Sequence, residues 1–218
     1  MKNFSIKDIL KSTLVMFLVC LIVTGMLAGT DYLTKKQIAD NNARQEEQTR
    51  YAVLKMAKTF KAGDIDNDGT TDYYAGYDGD RLVGYTVTAT EKGYGGDVTV
   101  MTGILFDGKV NDVAILSHSE TPGLGANAQN PDFTNAFKQT FNKEGFAVSK
   151  DIKEDKSKNG NSGKGINDKS EKPEEIAVPN KIDAITGATI TSRAVTRAVN
   201  KAIDIYYKII EQEENTNG

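Results

Sequence analysis

Thiol and imidazole are nearly absent from this chain of 218 residues. Its single cysteine, Cys20, excludes an internal disulfide and any metal site built on clustered thiolates. Cys20 lies in the most apolar segment, where a free cysteine behaves as a small hydrophobe. A lone histidine, His118, excludes a site made of several imidazoles. Neither sign of charge dominates: the net charge of −3 supplies no basic field for nucleic acid, and no such partner is expected. There is also no G-x-G-x-x-G stretch of the kind that holds a dinucleotide. Any electrons this chain handles therefore come from a partner.

Charge is missing altogether between Lys11 and Asp31, which leaves the 19 residues STLVMFLVCLIVTGMLAGT. As a helix they span roughly 28 Å, close to the thickness of a hydrocarbon core. A cleaved signal needs small residues in an A-x-A-like pattern, and Met26 two residues before Ala28 fits that poorly. A lipid-bearing cysteine needs a small residue before it and the end of the apolar run after it. Val19 and Leu21–Val23 provide neither. A retained membrane anchor follows. Lys2, Lys7 and Lys11 precede it, while Lys35, Lys36, Arg44 and Arg50 follow, so charge alone does not orient it.

The next segment, TKKQIADNNARQEEQTRYAVLKMAKTF, lacks glycine and proline and predicts a helical stalk over about Thr34–Thr59. Strand signals come after it. In RLVGYTVTAT, Val83, Tyr85, Val87 and Ala89 alternate with smaller or polar residues. After the break at Gly93–Gly96, alternation resumes through Val98, Val100, Thr102, Ile104 and Phe106. Asp107-Gly108 predicts a two-residue hairpin into KVNDVAIL. This is an antiparallel meander with one buried face. SHSETPGLGANAQNPD is a long loop of the sort that is usually functional or disordered. A helix is expected from Asp132 to about Asn142, with Phe133, Ala136, Phe137 and Phe141 on one face. Lys150–Glu175 is charged and has only Ile152 and Ile166 as aliphatic residues, so it reads as a flexible insertion. A final helix carries the stripe Val195, Ala198, Val199, Ala202, Ile205, Tyr206 and Ile209. Separate blocks of strands and helices make the fold class α+β.

In front of that helix stands DAITGATIT, Asp183–Thr191. Capping explains one hydroxyl, from Thr191 or Ser192, but no Glu or Gln follows at the position that completes a capping box. Gly187 and Ala188 keep the backbone accessible, and a helix N-terminus is a natural anion site, with phosphate the obvious guest.

These residues resemble the D-x-x-[ST]-G-A-[ST]-x-T signature of the FMN-binding domain family found in ion-pumping redox complexes. HSETPGLGA (His118–Ala126), GYGG (Gly93–Gly96) and the GILFDGKVNDVAIL hairpin are similar to the same family. The resemblance covers about Gly76–Tyr207. It implies FMN esterified through its phosphate to Thr191 by a dedicated flavin transferase. Asp183, Thr186, Gly187, Ala188 and Thr189 would form the loop that the transferase recognises and the phosphate later occupies. Glu120, Thr121, Leu124 and Gly125 would border the ring or ribityl chain. Pro122-Gly123 is otherwise an ordinary turn, Glu120 an ordinary solvated carboxylate, and His118 a loop residue near the flavin.

Within the family, the layout most resembles the G subunit of Rnf-type ferredoxin:NAD oxidoreductases, with the C subunit of sodium-pumping NADH:quinone reductases as the rival. The resemblance implies a redox subunit of a larger translocating complex in the cytoplasmic membrane. Its partners are the other membrane subunits, the transferase and lipid, and its flavin domain lies on the extracytoplasmic side. The expected boundaries are a cytoplasmic tail 1–11, a transmembrane helix 12–30, a stalk 31–60, a flavin domain 61–149 and 176–211 around the insertion 150–175, and a disordered tail 212–218. The anchor carries no internal charge and is not expected to conduct an ion; Thr13, Thr24 and Gly25 suit packing against other helices.

Two other readings remain at this stage. One is a flavin reductase anchored outside the cell and acting alone. The other is a non-redox module whose DIDNDGTTD run binds calcium. There Asp64, Asp66, Asp68 and Asp72 occupy positions of a calcium loop with Gly69 at the turn, but Ala75 stands where the bidentate glutamate belongs.

Overall fold

The computed structural model describes residues 6–66, 69–149 and 180–217. The expected insertion 150–175 and Asp68 of the acidic run therefore lie outside the described residues. Contacts divide the chain into two units, 1–46 and 47–218.

The first unit is helical. Helix α1 runs Ile6–Val53 as one element through the expected boundary at residue 30 between anchor and stalk; Thr30 and Thr34 there each bond through Oγ1 to the carbonyl four residues back, at 2.9 and 2.8 Å. Among the described residues it is the one helix long and apolar enough to cross a membrane, with a mean hydropathy of 2.2 over its best window. Leu14, Phe17, Leu18, Leu21 and Ile22 are exposed, as side chains that face lipid are.

The second unit is built on a five-stranded antiparallel meander in chain order: β1 (Thr59–Gly63), β2 (Tyr73–Asp78), β3 (Arg81–Lys92), β4 (Asp97–Leu105) and β5 (Lys109–Ser117). The α+β expectation holds, and a hairpin forms where expected, but Leu105 pairs with Lys109, so its turn has three residues, Phe106, Asp107 and Gly108, not two, with Gly108 at φ 77°. Helix α3 (Thr189–Asn217) lies against β3 and β4. Its Val195, Ala198, Val199, Ala202, Tyr206 and Ile209 are buried with Tyr85, Val87, Val98, Val100 and Ile104 of the sheet. Ile205 of the expected stripe is only partly buried, whereas Ile203 is fully buried.

Several expectations fail for identifiable reasons. The stalk ends at Val53, not near Thr59, because Leu54 and Ala57 are buried beside Val83 and Thr59 begins pairing with Tyr77. Arg50 helps seat that end, its guanidinium 3.5 Å from the centre of the Tyr74 ring. The sheet is thus covered on parts of both faces: Gly103 leaves room for the Val53 carbonyl, and Gly76 for Leu54 and Ala57. Val83 leaves the alternation because a bulge pairs Gly84 with Gly76 but Leu82 with Tyr77. Phe106 is exposed in the turn after β4.

The helix expected over Asp132–Asn142 is one turn, α2 (Pro131–Thr134), followed by a 3₁₀ turn to Phe137. The chain then extends so that Thr140 bridges to Lys109 and the Val110 N–H donates to the Gln139 carbonyl. Phe133, Phe137 and Phe141 are buried all the same. Beyond them, β6 (Phe146–Val148) pairs in parallel with β7 (Asn180–Ile182), and the Asn200 side chain bonds both backbone groups of Phe146. Helix α3 also passes the expected end at residue 211. Gln212 bonds the Ile65 carbonyl and Glu213 accepts from the Tyr85 hydroxyl.

Candidate functional site

The loop after β5, the turn between β3 and β4, and the start of α3 meet around an open cleft of about 440 Å³. That size is within the range of small-molecule sites. Its lining contains Tyr94, Glu120, Thr121, Leu124, Gly125, Gly187, Ala188, Thr189, Ile190 and Thr191. The structure thus gathers the expected residues from two segments some sixty positions apart. Asp183 and Thr186 are exposed and do not line it.

Helix α3 begins at Thr189, so neither Thr191 nor Ser192 is its cap. Ser192 works backwards instead: its Oγ accepts from the Ile185 N–H and donates to the Ala188 carbonyl, both at 3.0 Å. The preceding turn closes with the Ala188 N–H on the Ile185 carbonyl, and Gly187 takes φ 75°, a conformation that favours glycine. The first amides of α3 have no acceptor within the helix and stand at the positive end of its dipole. Among the described residues no lysine or arginine lines the cleft, so an anion held by these residues would rely on those amides and on hydroxyls.

Thr191 is 1% exposed, and its Oγ1 donates to Oε2 of Glu120 at 2.8 Å. Glu120 is not the solvated loop carboxylate that its sequence context allows. It is 6% exposed, and its Oε1 accepts from the backbone N–H groups of Tyr94 and Gly95 at 2.8 and 3.2 Å. His118 Nδ1 accepts the Glu120 N–H at 3.1 Å, which makes it a brace of the loop. One carboxylate therefore ties together all three segments. Glycine is required on either side of it: a Cβ at Gly93 or Gly125 would collide with the carboxylate, and at Gly125 would also sit 2.8 Å from Thr191 Oγ1.

Two lining residues were absent from the sequence expectation. Tyr94 is 74% exposed on its glycine turn, and Ile190 is exposed at the start of α3, outside its buried stripe. An aromatic side chain framed by glycines, and an isoleucine off the helical period, were the available signals. With Leu124, which is also exposed, they give the cleft an apolar rim suited to a flat heteroaromatic ring.

Residues 93–204 match the FMN-binding domain family, and residues 1–53 match the RnfG N-terminal region. The chain belongs to the FMN-binding domain family. It is 34% identical over 185 residues to the G subunit of the proton-translocating ferredoxin:NAD(+) oxidoreductase complex of Clostridium ljungdahlii, covering 85% of this chain and 84% of that one. It is 31% identical over 217 residues to the G subunit of the Na(+)-translocating complex of Acetobacterium woodii, covering 93% and 94%. The fold is also that of the C subunit of the Na(+)-translocating NADH-quinone reductase of Parabacteroides distasonis, with a TM-score of 0.53 and 16% identity over 79% of this chain and 95% of that one. An FMN-binding, membrane-associated subunit related to the Rnf complexes is the result.

The described residues of the acidic run form no comparable centre. Asp64 Oδ2 accepts the Gly69 N–H and Asp72 Oδ2 the Ile65 N–H, both at 2.7 Å. Among the described residues no group of three or more His, Cys, Asp or Glu is arranged to hold a metal.

Proposed function

We propose that this chain is the anchored electron-transfer subunit of an Rnf-type complex, carrying FMN esterified to Thr191. The complex would couple electron flow between ferredoxin and NAD to ion movement. The observation that carries the proposal is the position of Thr191: a buried hydroxyl in the first turn of α3, at the wall of the cleft, within DAITGATIT. The residues present fit the cofactor. Amides at the start of α3 and the hydroxyls of Thr189 and Thr121 suit the phosphate and ribityl chain, while Tyr94, Leu124 and Ile190 suit the ring. Once bound, FMN supplies the electron transfer, and the protein's part is to hold and orient it.

A helix terminus at a surface contributes only about 0.3–1 kcal/mol toward holding an anion. A covalent tether removes dissociation from a cleft whose described lining has no basic side chain. Asp183 and Thr186, exposed on the approach to α3, would then serve recognition by the flavin transferase, not contact with bound FMN. The flavin domain would lie on the extracytoplasmic side of the membrane, with the other membrane subunits as its electron partners. Similarity of residues 1–53 to the RnfG N-terminal region favours this assignment over the C subunit of a sodium-pumping NADH:quinone reductase.

The test is co-expression with a flavin transferase, then flavin fluorescence in a denaturing gel. The native chain should give a fluorescent band and Thr191→Ala none. A dark native band beside an active transferase would refute the covalent flavin.

A further inference from the structure

We propose that Glu120 is a positioning residue that withholds the Thr191 hydroxyl from the transferase, so that FMN is delivered only while the 118–125 segment is open. The inference rests on the reading of Thr191 as the esterified residue. Thr191 lines the cleft yet is 1% exposed, and its hydroxyl proton is committed to Glu120 Oε2 at 2.8 Å. Behind that bond, Glu120 is fixed by the Tyr94 and Gly95 amides and by His118. Gly125 closes the other side, its backbone so near that a Cβ would stand 2.8 Å from Thr191 Oγ1.

Transfer demands the opposite arrangement. The phosphorus arrives in the active site of another protein, and attack requires the hydroxyl oxygen within about 3–3.5 Å of it with an unobstructed line of approach. The Thr191 Oγ1–P bond forms as the phosphoanhydride P–O bond of an activated flavin donor breaks. The nucleotide phosphate departs, and the hydroxyl proton goes to that phosphate or to solvent, with no change in oxidation state. In the closed segment Oγ1 is walled in by Glu120 and Gly125, so the segment must swing away first. Once Oγ1 is an ester oxygen it carries no proton to donate. The Glu120–Thr191 bond therefore belongs to the unmodified protein alone, and delays its own removal.

The full-length, unmodified chain in detergent would be mixed with FAD and increasing amounts of a purified flavin transferase, and the fluorescent band followed in time. In the native chain the rate should level off as transferase is raised, because opening becomes limiting. Glu120→Gln keeps the shape and an oxygen for the Tyr94 and Gly95 amides but turns a neutral donor toward Thr191. It should raise the plateau about tenfold, reflecting loss of the charge-assisted bond. Hydrogen exchange at the Tyr94 and Gly95 amides should quicken in the same variant. Saturation of the transferase alone also gives a plateau, so it is the rise of that plateau in Glu120→Gln that reports the opening. A native rate proportional to transferase throughout, or a Glu120→Gln rate at or below native, would overturn the withholding role and leave Thr191 as anchor. A native chain that never becomes fluorescent would instead overturn the reading on which the inference rests.

Discussion

Removing the Glu120 side chain should loosen the domain by an amount the structure allows us to bound. In Glu120→Ala, three hydrogen bonds to one carboxylate disappear: two from backbone N–H groups and one from the buried Thr191 hydroxyl. Bonds to a charged group contribute about 1.5–3 kcal/mol each, but the sum overstates the loss. The Tyr94 and Gly95 amides sit in a turn whose tyrosine is largely exposed, so water can replace one acceptor there. Removing the carboxylate also recovers the cost of burying it. The Thr191 hydroxyl, at 1% exposure, has no such access to water. A net loss of about 3 kcal/mol follows, and for a domain of this size each kcal/mol lowers Tm by about 2–4 °C. The expected drop is about 6–12 °C in the unmodified chain, read by circular dichroism in detergent. Glu120→Gln should fall by less than half as much. A Glu120→Ala Tm within about 2 °C of native would refute the view that this carboxylate ties the three segments together.

Phe137 is fully buried, with its ring edge-on to Phe133 at 5.4 Å and Phe146 at 5.3 Å. Phe137→Ala should cost about 3–5 kcal/mol, seen as a lower denaturant midpoint with little change in slope. Glu91 predicts a pH effect. Hydrogen bonds from Lys201 and then Arg197 hold its carboxyl below the ordinary glutamate range. A lowered value in the folded state means stability that is present above about pH 4.3 and is lost as pH falls through the folded value. In Glu91→Gln, Tm should therefore fall at pH 7 and converge with native Tm as pH falls through the lowered folded-state value; a difference that does not shrink on acidification would contradict the assignment.

What the sequence made legible was whatever depends on local period or on a short motif. β3, β4 and β5 announce themselves by alternation and by the Asp107-Gly108 turn, and α3 by its stripe. DAITGATIT and HSETPGLGA were joined through the family resemblance they carry, and residues of both line one cleft. What could not be read depends on distant partners. Thr59–Gly63 carries no glycine or proline stop before it, and becomes a strand because β2 is there to pair with. Phe141 sits at a helical spacing from Phe137, yet the chain between them extends to bridge the free edge of β5. Strands β6 and β7 are three residues each, too short for any period, and owe their place to each other and to Asn200. Burial of Glu120 has the same origin. A glutamate in a Gly- and Pro-rich loop looks solvated until the Gly93–Gly96 turn and α3 close over it.

The central claim is a covalent bond at one oxygen, and the mass of one peptide tests it most directly. The native chain, isolated from cells that contain a flavin transferase, would be digested and the peptide spanning Thr191 weighed and fragmented. The account predicts a gain equal to FMN less one water, located on Thr191. An unmodified peptide, or the same gain on Thr186 or Thr189, would contradict it.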